Sequence, residues 1–340
     1  MARSRFIPDN FTFMLVATVA LASLFPVSGK AAHWFEMLTT AAVALLFFLH
    51  GAKLSRDAIW AGIGHWRLHL LIFAITFILF PVIGVVLRPV LEPLVTPQLY
   101  MGVLYLCVLP ATVQSAIAFT SMARGNMPAA ICSASASTLL GIVVTPLLVK
   151  IVLPQAGDAQ QDALQSIGKI MVQLLLPFLA GHFLRPWIGD FVKKHASLLK
   201  VVDQGSILLV VFTAFSAAVV GGIWHQLPLV ALAGLLVVNA VILALVLSLS
   251  TFIARKLGFN KEDEITIVFC GSKKSLISGV PMAKVIFPSA DAGLIVLPLM
   301  IFHQLQLMVC AVLAQRYARR PQLQHAEAKP ASAEASARAS

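Results

Sequence analysis

Two adjacent lysines lie inside a segment that otherwise has the composition of a membrane-spanning helix. Lys273 and Lys274 stand in the run 265–281, where the other residues are apolar, small or hydroxyl-bearing. An ammonium group near the centre of a bilayer costs about 2.5–3.5 kcal/mol on insertion scales. A chain keeps two of them there only where another group compensates their charge. The pair therefore predicts a polar site on a substrate or ion pathway.

No aspartate or glutamate lies in the middle of an apolar run, so the lysines have no obvious carboxylate partner. The acidic residues near these runs stand at their ends: Glu36, Glu262, Asp263 and Glu264. Carbonyls freed at a helix break could accept hydrogen bonds from the lysines. One lysine could lose its proton, because desolvation and a like-charged neighbour disfavour the ammonium form, or the counter-ion could be an anionic cargo. The competing interpretation is a broken helix with both lysines extended to water.

The composition is that of a polytopic membrane protein. The chain has 340 residues, of which 59% are hydrophobic and 11% charged, whereas soluble domains carry about 25% charged residues. The net charge of +11 does not indicate a nucleic-acid partner, because the basic residues form short clusters between apolar runs. The four cysteines lie in apolar runs without metal-ligand spacing, and no catalytic motif is present. We therefore predict neither an enzyme nor a cofactor.

Ten apolar runs are long enough to cross a bilayer, which takes about 17–25 residues. They are 11–28, 34–52, 68–90, 99–122, 127–153, 166–186, 202–223, 227–254, 264–287 and 292–316. The fold predicted from them is all-α with ten transmembrane helices. The first run is interpreted as a retained helix and not a cleaved signal peptide, because a second run follows at once. Residues 319–340 are predicted to be a disordered cytoplasmic tail.

The basic residues give the predicted topology. With the N-terminus in the cytoplasm, 18 lysines and arginines fall on the cytoplasmic side and 5 on the opposite side, apart from the lysine pair. This bias predicts that both termini are cytoplasmic and that the protein lies in the inner membrane.

Segments 114–124 and 274–284 are also weakly similar at a shift of 160 residues. Residues 1–158 and 159–318 are therefore predicted to be two five-helix repeats of opposite orientation.

The predicted site lies where two spans are interrupted. The fourth span is broken by Pro110 and the polar residues after it, and the ninth is broken at 271–275. Paired broken helices in two halves of a transporter point to a binding site near the midplane. The residues expected to face one another there are Pro110, Thr112, Gln114 and Ser115 on one side and Ser272, Lys273, Lys274 and Ser275 on the other.

Other polar residues in the spans carry weaker predictions. His50, His182 and His303 are interpreted as packing residues, with His303 the one most expected to approach the site. The serine-rich stretch 133–138 could serve close helix packing or form a polar wall that faces the fourth span, and both alternatives stay open.

These segments resemble the bile acid:sodium symporter superfamily and, within it, the YfeH-like branch. The motifs that carry the resemblance are 107–115, 125–126, 137–138, 145–146 and 287–288 for the superfamily, and 48–55, 109–116, 269–275 and 297–304 for the branch. The resemblance covers residues 5–318. It implies a panel domain of spans 1, 2, 6 and 7 and a core domain of spans 3–5 and 8–10, in which broken spans 4 and 9 cross.

The resemblance also implies sodium-coupled uptake of organic anions. Sodium-coupled members place other oxygen-bearing side chains at the positions occupied here by Thr76, Ala116, Ala130, Ala134, Cys270, Lys274 and Ser275. Ser115 is the one sodium-site residue that matches. An ammonium group stands where sodium would bind, and two cations at one place repel each other. No metal ligand set is therefore predicted.

The prediction from the whole sequence is a secondary transporter that moves a small organic anion by alternating access. Lys273 and Lys274, or a proton, would take the place of sodium. The alternative is a non-transporting membrane regulator of calcium homeostasis, since a relative in this branch is linked to calcium regulation.

Overall fold

The computed structural model describes residues 10–53, 63–153, 163–222, 228–287 and 289–320, and every regular element in these ranges is helical. Besides short helical turns at 63–65 and 88–94, the helices are α1 (Asn10–Leu24), α2 (Gly29–Lys53), α3 (Trp66–Val86), α4 (Pro97–Val108), α5 (Val113–Met122), α6 (Met127–Val152), α7 (Ala163–Lys194), α8 (Ala196–Val220), α9 (Leu229–Lys256), α10 (Lys261–Gly271), α11 (Leu276–Ile286) and α12 (Ser289–Ala318). Each predicted apolar run coincides with one helix or with a pair of helices.

Six of the described helices are long and apolar enough to cross a membrane: α2, α3, α6, α8, α9 and α12. A seventh span results if α4 and α5, which meet at a bend of 64°, are counted as one. The chain is therefore a multi-pass membrane protein. The count of ten spans and the two inverted repeats stay predictions, because α1, α7 and the α10–α11 pair are not among the helices that meet this criterion of length and hydropathy.

The helices contact one another in two groups. Helices α1, α2, α7 and α8 form a four-helix group, and α3–α6 with α9–α12 form an eight-helix group. The groups meet mainly where α8 packs against α11 and α12 and where α7 packs against α6. The panel and core domains that the resemblance implies stay a prediction, because α8 contacts α12 as extensively as it contacts α1.

Helices α2 and α7 approach each other unusually closely. A Cβ added at Gly51 would lie 1.9 Å from the carbonyl oxygen of Phe178, and one added at Gly181 would lie 1.9 Å from that of Phe48. Each helix therefore presents a glycine to the backbone of the other. Only glycine permits this contact, because any Cβ would overlap the facing carbonyl.

The end of the described chain is held by side-chain contacts. Arg320 donates hydrogen bonds to the carbonyl oxygen of Arg124 at 3.0 Å and to the carboxylate of Glu262 at 2.6 Å. The predicted disordered tail therefore does not begin at residue 319. Its remainder, 321–340, lies outside the described residues.

Candidate functional site

The break between α4 and α5 leaves backbone groups that helix α6 satisfies. Leu109 and Thr112 are extended, and Pro110 has no N–H to continue the helix. The freed N–H of Ala111 donates to the hydroxyl of Ser137 at 2.9 Å. The hydroxyl of Thr145 donates to the carbonyl of Val108 at 2.9 Å. An unwound segment is tolerated inside a membrane protein only where its backbone is satisfied in this way.

The two breaks meet each other. The N–H of Ser275, in the break between α10 and α11, donates to the carbonyl of Pro110 at 3.0 Å. The hydroxyl of Ser275 then caps α11 by accepting from the N–H of Ser278 at 3.1 Å. Tyr105 of α4 donates to the carbonyl of Gly279 at 2.7 Å. The structure thus brings the interruptions of the fourth and ninth predicted spans into direct contact.

Lys274 holds this crossing together. Its Nζ donates to three carbonyl oxygens, those of Thr76 at 2.8 Å, Cys107 at 2.8 Å and Leu109 at 2.7 Å. The ammonium also lies 4.1 Å from the centre of the Phe80 ring. The side chain is fully buried. All three N–H bonds of the ammonium therefore have a hydrogen-bond acceptor, and each acceptor is a backbone carbonyl oxygen of a neighbouring helix.

The carbonyl of Thr76 is free because α3 contains a π-helical turn at Ile75–Leu79. In this turn the N–H of Phe80 bonds to the carbonyl of Ile75. The next residue, Pro81, has no N–H that could reach Thr76. The hydroxyl of Thr76 bonds within its own helix, to Ile72 at 2.8 Å. Thr76 therefore contributes its main-chain oxygen to the site and not the side chain that sequence comparison singled out.

Gln306 is a site residue that the sequence prediction missed. Its amide oxygen accepts from the N–H of Lys274 at 2.9 Å, and its amide nitrogen donates to the carbonyl of Lys274 at 2.9 Å. The predicted candidate His303 contacts Gln306, and its Nδ1 lies 3.0 Å from the Gln306 amide nitrogen. The signal that could have found Gln306 is an amide side chain one turn after a histidine in an apolar helix.

Replacing Gln306 by Met is expected to destabilise the protein, because it leaves the buried N–H and carbonyl of Lys274 without partners. Each such group costs about 1–3 kcal/mol. We expect a melting temperature several degrees below wild type in detergent. Met308→Leu, at a more exposed position of the same helix, is the matched control and should melt with wild type. Equal melting of Gln306→Met and wild type would contradict the assigned contacts.

Lys273 occupies a different environment from its neighbour. Its Nζ is buried and has no hydrogen-bond partner among the nitrogen and oxygen atoms of the described residues. It lies 3.7 Å from the ring centre of Phe119, and the thiols of Cys270 and Cys310 are nearby. The two lysines therefore do not form one site, and their complete burial excludes the interpretation in which both extend to water.

A cavity of about 130 Å³ lies beside the crossing, between the two helix groups. Its eight-helix wall includes Thr112, Val113, Gln114, Ser135, Thr138, Ser275, Ile277 and Ser278, and its four-helix wall includes His50, Lys53, Phe178 and Asp203. Neither of the paired lysines lines it. For the stretch 133–138 the structure supports the polar wall, since Ser135 and Thr138 line this cavity.

The remaining predicted residues lie around the crossing without lining the cavity. The Ser115 hydroxyl is buried without a partner, and Ser272 donates to Val268 at 2.5 Å. The thiol of Cys270 lies 3.9 Å from the carbonyl of Ala130. His182 is in α7, and its Nδ1 is buried without a partner.

Asp203 and Lys53 are further cavity residues that sequence reasoning missed. They form an ion pair, and the aspartate side chain is only 6% exposed. The predicted apolar run begins at 202, which leaves Asp203 at its edge. Helix α8 begins at Ala196 instead, so Asp203 lies about two turns inside it. Lys200 and Asp203 interrupt the apolar residues of these turns, so the hydropathy pattern does not show where the helix begins.

The cavity has the features of an anion site. The N-termini of α5 and α11 both open onto it through Val113 and Ile277. The first N–H groups of a helix carry partial positive charge and bind anions. The Thr112 hydroxyl makes no capping hydrogen bond, which leaves the first N–H groups of α5 uncapped. The ammonium of Lys53 faces the same space from the opposite wall.

The residues at the implied sodium site do not fit sodium. The carbonyl oxygens freed at the crossing, which are hard ligands of the kind that sodium needs, are occupied by the Lys274 ammonium. The Ser275 hydroxyl is engaged as a helix cap, and Cys270 offers sulfur. Within the described ranges, no group of three or more His, Cys, Asp or Glu side chains could hold a metal.

Comparison with known proteins places these features in a family. Residues 9–319 match the SBF-like CPA transporter family. The chain is 65% identical over 320 residues to "Uncharacterized protein PA2026" of Pseudomonas aeruginosa, covering 94% of this chain and 96% of that one. It is 60% identical over 311 residues to "Putative symporter YfeH" of Escherichia coli, covering 92% and 93%. It is 29% identical over 315 residues to "Sodium/bile acid cotransporter 7" of Mus musculus, covering 89% and 90%.

Proposed function

Because the chain belongs to the SBF-like CPA transporter family, a family of transporters and not of enzymes, we propose that it is a secondary transporter of a small organic anion. The observation that carries this proposal is the cavity between the helix groups, with two helix N-termini on one wall and Lys53 on the other. We place the protein in the bacterial inner membrane with both termini in the cytoplasm. The bias of lysines and arginines supports that orientation.

The size of the cavity limits the cargo. Its volume of about 130 Å³ is below the range of about 300–1,000 Å³ that is usual for drug-sized ligands. The hydroxyl and amide groups of Thr138, Gln114 and Ser275 line it together with the helix ends. The cargo is therefore a compact anion with hydrogen-bonding oxygens, such as a short carboxylate.

Sodium has no role in this mechanism. The ammonium of Lys274 supplies a positive charge at the crossing, tethered to the chain and held by three carbonyl oxygens. A fixed cation lowers the electrostatic cost of an anion nearby without being transported itself. If anion transport is coupled to the gradient of another ion, that ion must bind at other residues of the protein.

Alternating access requires that the two helix groups move relative to each other. Lys284 of α11 and Glu36 of α2 form an ion pair of 2.8 Å between the groups. On α2, Glu36 is about 25 Å from Lys53 along the helix axis. The groups are thus joined at one end of α2, and the cavity lies toward the other. We assign the cavity to the cytoplasmic side, from the predicted topology.

A stability screen tests the proposal. Small carboxylates, sulfonates and phosphate would be added to the purified protein in sodium and in potassium buffers. A ligand that binds the folded state raises its melting temperature by mass action, and we expect a shift for at least one anion that is equal in both buffers. No shift with any anion would contradict the proposal, and a shift confined to sodium buffer would contradict the role given to Lys274.

The variant Gln114→Trp tests whether the anion that raises the melting temperature binds in the cavity. Gln114 is exposed to the cavity, so an indole there should fill the space and abolish the anion shift while the unliganded protein melts normally. Met122→Trp, at an exposed position of the same helix, should keep the shift. If the anion raises the melting temperature of Gln114→Trp as much as that of wild type, the anion does not bind in this cavity.

A non-transporting regulator with the same fold is the second candidate. It would bind an anion without exchanging it across a bilayer. Counterflow of a labelled anion in proteoliposomes separates the two functions, because only a transporter produces it.

A further inference from the structure

The cavity contains a charged cluster that anion binding alone does not explain. It consists of His50 and Lys53 of α2 and Asp203 of α8, all of which line the cavity. One carboxylate oxygen of Asp203 is paired with the Lys53 ammonium. The other, Oδ1, is buried and has no hydrogen-bond partner among the described residues. A buried carboxylate with a single partner depends on that partner to remain ionised.

Lys53 is the member of this pair that a cargo can reach. Its side chain is 33% exposed, against 6% for Asp203. An anion in the cavity therefore competes with Asp203 for the ammonium. When Lys53 turns to the anion, Asp203 is left as an unpaired buried charge, which is strongly unfavourable. A proton on Oδ1 removes that charge.

We propose, on the basis of the anion transport proposed above, that Asp203 is the proton-binding site of this transporter. Binding of the anion to Lys53 and binding of a proton to Asp203 favour each other. The step forms one O–H bond at Asp203 Oδ1 and breaks one O–H bond of a hydronium ion that enters the cavity and leaves as water, and the Lys53 ammonium keeps all of its hydrogens. Anion and proton then cross the membrane together, and the proton gradient drives uptake.

His50 is placed to pass the proton. Its Nδ1 lies 2.8 Å from the carbonyl of Leu46. A carbonyl oxygen only accepts, so Nδ1 carries the hydrogen and Nε2 of the neutral ring has a lone pair. The ring lines the same cavity as Asp203 and Lys53, so a proton that enters the cavity can bind His50 before it reaches the carboxylate.

The other groups around Asp203 do not offer a second counter-ion on the cavity side. Of the described residues that line the cavity, His50, Lys53 and Asp203 are the charged or titratable ones. The described part of α7 also carries His182, Arg185, Asp190, Lys193 and Lys194, and α8 carries Lys200, but none of these lines the cavity. The facing wall of the cavity is uncharged, with Thr112, Gln114, Ser275 and Ser278. Charge compensation for Asp203 therefore alternates between Lys53 and a proton.

The first test needs no cargo. The substitution Lys53→Gln deprives Asp203 of its ammonium partner, as a bound anion is proposed to do. It should therefore leave the Asp203 carboxylate unpaired. We expect this variant to melt well below wild type at about pH 8 and to recover at least half of the deficit by about pH 5, as a buried carboxylate gains its proton. In Lys53→Gln/Asp203→Asn the deficit should not change with pH. A deficit in Lys53→Gln that is the same at both pH values would overturn the proposal.

An exposed ion pair gives the matched control. The hydrogen bond from Arg88 lowers the pKa of Glu92 below its usual value of 4.5. In the structure the third span ends at Val86, so the pair lies beyond it, although the predicted run extends to 90. Glu92 needs no partner to stay ionised in water, so Arg88→Gln should show the same melting difference from wild type at about pH 5 and at about pH 8.

The second test uses the anion that gives the largest shift in the screen. When it is added to wild-type protein in weakly buffered solution, a pH dye should report uptake of about one proton per bound anion. In Asp203→Asn the uptake per bound anion should vanish. Anion binding without proton uptake in wild type would overturn the proposal. If no anion binds, the transport proposal itself fails, while the comparison based on Lys53→Gln still decides whether Asp203 accepts a proton.

Discussion

Lys274→Met is expected to prevent folded protein from accumulating in the membrane. The substitution removes the donor for three buried carbonyls, and each buried polar group left unsatisfied costs about 1–3 kcal/mol. The total approaches the free energy of unfolding of a typical domain, about 5–15 kcal/mol. The crossing of the broken helices would open. Fluorescence-detected size-exclusion chromatography of a fusion protein would show loss of the monodisperse peak.

Lys273→Met is the control at the adjacent position. Among the described residues its ammonium has no nitrogen or oxygen partner. It lies on the Phe119 ring beside the thiols of Cys270 and Cys310, so the main loss is a cation–π contact of about 0.5–2 kcal/mol. Removal of a buried charge offsets part of that loss. We expect this variant to fold and to elute with wild type. Equal behaviour of the two variants would contradict the different roles given to the two lysines.

Gly181→Ala is expected to separate α2 from α7. The new Cβ would lie 1.9 Å from the Phe48 carbonyl oxygen, which is backbone and cannot move without its helix. Overpacking by small groups already costs about 1–3 kcal/mol where side chains can adjust, and here they cannot. We expect a fall in melting temperature larger than that of Gln306→Met, or failure to fold.

Gly205→Ala tests whether this effect is specific to the helix contact. Gly205 lies within α8, and a Cβ added there meets no atom within 4 Å. Alanine is favoured over glycine inside a helix by about 1 kcal/mol, so this variant should equal or exceed wild type in stability. If both glycine variants lose stability to the same extent, the α2–α7 contact is not as close as described.

Hydropathy was sufficient to predict the helices and both breaks. The apolar runs coincide with helices because a span must be long and apolar, and Pro110 and Gly271–Ser275 mark the interruptions. Burial of the lysine pair followed from the cost of charge in lipid. The alignment of 114–124 with 274–284 at a shift of 160 residues, and the inverted repeats based on it, stay predictions.

The partners of the lysines could not be predicted from the sequence. The carbonyl of Thr76 is available because of a π-helical turn and Pro81, and a backbone oxygen leaves no mark in the side-chain pattern. Gln306 stands near His303 and Gln304, and Asp203 stands near Lys200 and Gln204. The sequence does not show which of these polar residues faces the site or which neighbour each will meet. The roles of Lys273 and Lys274 diverge because successive residues at a helix break point in different directions.

The central claim is that a tethered lysine takes the place of a transported sodium ion. Counterflow in proteoliposomes tests it most directly, with the labelled anion selected by the stability screen and with sodium replaced by choline on both sides of the membrane. We predict the same initial rate in both salts. Counterflow that falls to the level of empty liposomes in choline and returns with sodium would contradict the claim.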